Sequence, residues 1–143
     1  MINISGGTVG EGFEVRSGST ANISGGTVGL TQVFSGSTFN LSSGEVERLI
    51  ADEGSVVNLI GGSIDDGLFA SSGGEVNISG VSLNRLQANS GSIANISGGI
   101  VENFSLRGSG TISGGSLGNA DVDGEVNISG SDFSLNGLSL IHI

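Results

Sequence analysis

Asn3-Ile4-Ser5-Gly6-Gly7-Thr8-Val9-Gly10 returns unchanged as Asn22-Ile23-Ser24-Gly25-Gly26-Thr27-Val28-Gly29. The leading asparagine then recurs at Asn40, Asn58, Asn77, Asn95 and Asn127, with Thr111-Ile112-Ser113 at the one missing beat, so the intervals are 19, 18, 18, 19, 18, 16 and 16 residues. Self-similarity at a short period marks a repeat array, in which a unit that cannot bury its apolar face alone stacks on its neighbours. The chain reads as eight such units filling almost all of its 143 residues.

Within the unit Asn22 to Phe39 the sequence describes three short strands separated by turns. Alternation puts Ala21 and Ile23 on one face and Asn22 and Ser24 on the other. The glycine pair that follows allows positive φ and a sharp change of direction. An apolar residue then recurs at Val9, Val28, Val46, Ile64, Leu83, Val101, Leu117 and Phe133, which predicts a second inward column. A looser third set comprises Phe13 and Val15, Val33, Leu49, Leu68, Leu86, Phe104 and Leu106, and Val122. The phenylalanines at 13, 39, 69, 104 and 133 fall at or beside inward phases and are expected to fill the core.

Three inward columns per unit make a coil. Stacked at about 4.8 Å per coil, eight coils give a rod roughly 38 Å long. The predicted fold is all-β: a single-stranded parallel β-helix, or β-solenoid, of about eight coils of 16–19 residues with three short strands each. Steps of five residues between inward positions, as from Ile23 to Val28, favour a right-handed coil over the six-residue steps of a left-handed one. Helical repeats are excluded because 28 glycines and 25 serines disfavour helix and no 3.6-residue apolar stripe is sustained. Leucine-rich repeats are excluded because their leucine spacing is missing.

The motif at 3–10 and 22–29 resembles the glycine- and serine-rich β-helix repeats of large secreted bacterial surface proteins, similar to autotransporter-passenger and adhesin stalks. The resemblance covers nearly the whole chain and implies an extracellular or cell-surface location. It also implies a structural, spacer or adhesive role, with flanking coils or domains of the same longer protein as the first partners and surface polysaccharide or a host surface as others. Residues 1–137 are read as part of a longer array, whose bare end coils expose strand edges and favour end-to-end self-association. Residues 138–143, Leu-Ser-Leu-Ile-His-Ile, resemble the in-frame translation of a transposase-library sequencing adapter and are read as a non-native tail. His142, the single histidine, falls within it and is assigned no role.

Charge narrows the function classes. Four arginines, no lysine and fourteen carboxylates give a net charge of −10, which opposes nucleic-acid binding and anionic membrane surfaces. No apolar run reaches the ~20 residues of a membrane span. The absence of cysteine removes disulfides and thiolate metal sites. No cofactor, metal site or catalytic residue is assigned.

The column Asn3, Asn22, Asn40, Asn58, Asn77, Asn95 and Asn127 is read as a structural ladder of stacked amides, with a polymer-binding ladder as the alternative. Six of these residues, and Asn103, begin N-x-S glycosylation sequons, and the six are by-products of the motif. Arg48, Asp66 and Arg85 form a candidate charge ladder at one phase of the next turn. That reading is preferred to calcium held by the carboxylates stacked there. Ranks of threonine such as Thr8 and Thr27 are too soon interrupted, by Glu45 and Ser63, for an ice-binding face. The rival function class is a polysaccharide lyase, hydrolase or epimerase, or a carbohydrate-binding β-helix. Its best catalytic candidates are Asp121, Asp123 and Glu125, since paired carboxylates suffice for glycoside hydrolysis at the right separation.

Overall fold

The computed structural model describes residues 1–140 and is all-β. Its strands are β1 (Ile2–Val9), β2 (Phe13–Val15), β3 (Thr20–Val33), β4 (Thr38–Ala51), β5 (Val56–Leu59), β6 (Ser63–Ala70), β7 (Glu75–Ile78), β8 (Ser82–Ala88), β9 (Ile93–Leu106), β10 (Ser109–Val122) and β11 (Glu125–Leu140). Every pairing between them is parallel. The first face of the solenoid stacks eight rungs in the order β1-β3-β4-β5-β7-β9-β10-β11, as the repeat predicts. Residues 141–143, with His142, lie outside the described residues. The backbone of 138–140 belongs to β11, where Ser139 and Leu140 lie opposite Asp121 and Val122.

The three faces are less separate than the sequence suggests. In β3, β4, β9, β10 and β11 one strand runs around a whole coil. The second glycine of the pair, Gly26 with φ 86°, turns the chain from the first face to the second, and interstrand pairing resumes beyond a register shift. Only the third corner breaks the strand in these coils. There Ser37 N–H donates to the Phe34 carbonyl at 3.1 Å across Gly36, whose φ of 72° is what the third position of a type II turn demands.

The interior holds five columns. The first face contributes two: Ala21, Phe39, Val57, Val76 and Ala94 in one, and Ile23, Leu41, Leu59, Ile78, Ile96 and Ile112 in the other. The second face contributes Val28, Val46, Ile64, Leu83, Val101 and Leu117. The loose third set divides in two. Leu49 stacks on Thr31, whereas Val33 stacks on Ala51, followed by Ala70 and Ala88. Alternation across a strand requires this split, and small alanines hid the second column in the sequence.

Two other expectations are corrected. Phe69 lies between the inward Leu68 and Ala70, so it points outward and is half-buried. In the last coil the register differs from the expected one: two additional residues in the bend place Leu135 opposite Leu117 and Phe133 opposite Gly115.

Coil length varies only at corners. The 19-residue interval from Asn58 to Asn77 contains one additional residue at Asp65-Asp66, where the register passes from Val46↔Ile64 to Arg48↔Gly67. The 16-residue coils shorten the third corner to Arg107-Gly108 and Asp123-Gly124. Gly108 is required at its corner: a Cβ there would run into the Ser92 and Asn89 carbonyls of the coil before.

A mid-stack truncation tests the packing. Leu59 is 0% exposed, and Leu59→Ala is expected to cost about 2–5 kcal/mol in urea unfolding followed by circular dichroism. A loss below about 1 kcal/mol would show that the column is not close-packed.

Candidate functional site

Because inward and outward positions alternate, the asparagine between Ala21 and Ile23 must face out, and register places each such residue directly over the next. An amide carries both donor and acceptor, so it can bond to its own copy above and below. Asn22 Nδ2 donates to Asn3 Oδ1 at 2.8 Å, Asn40 to Asn22 at 2.8 Å and Asn58 to Asn40 at 2.8 Å. Asn77 donates to Asn58 and Asn95 to Asn77, each at 3.0 Å. Thr111 Oγ1 donates to Asn95 Oδ1 at 3.0 Å, so the stand-in threonine keeps the ladder going. Asn127 continues the column opposite Thr111 and is exposed.

Beside the ladder runs a rank of serines whose hydroxyls reach back to the preceding coil. Ser42 donates to the Ile23 carbonyl at 3.2 Å and Ser97 to the Ile78 carbonyl at 3.3 Å. Ladder residues, the serines beside them and Ile60 line an open groove of about 410 Å³, running from Asn40 to Thr111 and Ser113. None of its lining residues is ionisable. Ile60, where neighbouring units carry serine, stands in this groove and is 61% exposed.

The charge ladder is one step long. Arg48 Nε donates to Asp66 Oδ2 at 2.6 Å, Nη2 bonds the same oxygen, and the guanidinium lies 5.8 Å from the Phe69 ring centroid. Among the described residues no ion pair joins Asp66 to Arg85. The additional residue at this corner puts Gly67 at Arg48's register position, and Arg85 pairs with Asn103. Close by, Glu45 titrates above the usual carboxylate range. A hydrogen bond with Asp65 is the main cause, followed by repulsion from the Asp65 charge and then desolvation.

The carboxylates singled out for catalysis are divided by a corner. Asp121 faces out on the third face opposite Ser105, in a shallow groove with Arg85, Gln87 and Asn103, and its Oδ1 is buried without a hydrogen-bond partner. Glu125 begins the first face opposite Ser109, in a separate groove with Asn95 and Asn127. Among the described residues no three carboxylate or histidine side chains gather to hold a metal ion.

The sequence displays the components of this groove but not the concavity that five stacked coils form together. Ile60 was the available signal, as an apolar residue in a serine rank. No protein-family model, curated protein or solved structure matches this chain.

Two substitutions test these interactions. Asn58→Ala removes one donated and one accepted bond, and is expected to lower stability by about 1–3 kcal/mol in chemical unfolding. An unchanged midpoint would deny the ladder a structural role. For Glu45, a pKa raised by folding means that its contribution to stability is complete below the unfolded value and is lost as pH rises through the folded one. Glu45→Gln should therefore melt higher than the parent at neutral pH, with the gap closing once the solution is acid enough to protonate carboxylates. A variant that melts lower at neutral pH would refute the assignment.

Proposed function

We propose that the chain is a rigid structural segment, a spacer or adhesive rod, of a large secreted bacterial surface protein. The observation that supports it best is axial continuity. Apolar columns inside and an amide ladder outside connect each coil to the next through most of the described length. Such a rod acts by length, stiffness and repetition of one surface, with no turnover. Its place is outside the cell, with neighbouring coils or domains of the same protein at its ends.

The alternative is a polysaccharide-active β-helix, and its residue to test is Asp121, the half-buried carboxylate in the groove with Arg85. Stretching single molecules of the full chain from its two ends should release coils in successive steps of 16–19 residues, or about 60 Å of contour at ~3.4 Å per residue. Incubation with a panel of plant and bacterial polysaccharides should release no new chain ends. Extension in one undivided event, or polysaccharide cleavage abolished by Asp121→Asn, would overturn the reading.

A further inference from the structure

We infer that the groove along the asparagine ladder is a binding site for a single extended chain of neutral, β-linked pyranose sugars. The first argument is spare hydrogen-bonding capacity. Each ladder amide has two N–H protons and two acceptor lone pairs, and stacking uses one of each. Asn77 gives its second proton to Glu75, at 3.0 Å. Asn40, Asn58 and Asn95 each donate a single side-chain bond, within the ladder, leaving a second proton and lone pair for a ligand. Sugar hydroxyls, which donate and accept, match such groups.

The second argument is spacing. Ladder amides repeat at one strand spacing, about 4.8 Å, and an extended β-linked pyranoside chain advances by a similar distance per ring. A polymer lying along the axis therefore meets an amide in four of the five ranks, with Thr111 in the last, and a serine hydroxyl in every rank but that of Ile60. The five ranks from Asn40 to Thr111 span four spacings, about 19 Å, enough for four or five rings.

The third argument is charge. The protein carries −10, yet none of the groove's lining residues is a carboxylate or an arginine, and the carboxylate beside it, Glu75, is engaged by Asn77. A polyanion would find no cation there and an unfavourable overall field, while a polycation would be drawn to the acidic corners instead. An uncharged polymer fits. Ile60 supplies the one prominent apolar surface, against which the C–H face of a sugar ring can lie.

Affinity per ring is low in a groove without aromatic side chains, so binding must grow with chain length. This inference goes beyond the rod reading, which would stand unchanged if the rod had no affinity for sugar.

The test is calorimetric titration of the full chain with cello-oligosaccharides of two to six rings, with β-1,4-linked oligoglucuronates of the same lengths as the anionic comparison. Affinity for the neutral series should rise with each ring until about the fifth, the length the groove accommodates. Ile60→Asp, at an exposed position, should melt within a few degrees of the parent and weaken the longest neutral ligand at least tenfold. Ile60→Ser, which restores the common residue of the rank, should weaken it by a smaller factor. Absence of binding across the neutral series, equal binding of the anionic one, or unchanged affinity in a folded Ile60→Asp protein would each overturn the inference.

Discussion

Coils separated by one strand spacing place every side chain against its own counterpart, and the rest of the structure follows from that constraint. A column can persist only if its residue tolerates itself at about 4.8 Å. Aliphatic groups do so by excluding water, which fills the five inward columns. Amides do so by bonding head to tail, which explains asparagine at the outward position of the first face. Carboxylates do not, and even Glu45 and Asp65, which are neighbours and not register partners, show the consequence: Glu45 holds its proton more tightly because Asp65 is near. The acidic residues of this −10 chain are accordingly spread over corners and outward ranks, interleaved with glycine, glutamine, asparagine and serine.

Irregularity is confined to the corners for the same reason. An additional residue within a face would shift every later side chain to the wrong side of the strand. At Asp65-Asp66 it costs one register shift and the continuity of a charge ladder. At Arg107-Gly108 two residues are absent, and the first and third faces still align with their neighbours.

Much of this was legible in the sequence. The spacing of Asn3 to Asn127 announced the solenoid, and the position of Ile4, Ile23 and Leu41 after each asparagine located one inward column. Less legible were features that depend on where a bend falls. Phe69 passed for a core residue because apolar character does not reveal parity within a strand. The column of Ala51, Ala70 and Ala88 was hidden by small side chains, and the register of the last coil by an insertion that only strand pairing discloses. The amide ladder was anticipated from like-on-like stacking, but the groove beside it is lined by side chains of five successive coils, which no single unit displays.

The ladder also has a direction. From Asn22 to Thr111 each side chain donates to the coil preceding it in the chain, and the serines beside it do likewise. A coil that has just formed therefore finds its acceptors already in place on the one before, and itself presents a carbonyl to the next. Since each repeat contacts only its neighbours, folding can advance as a zipper, one coil at a time.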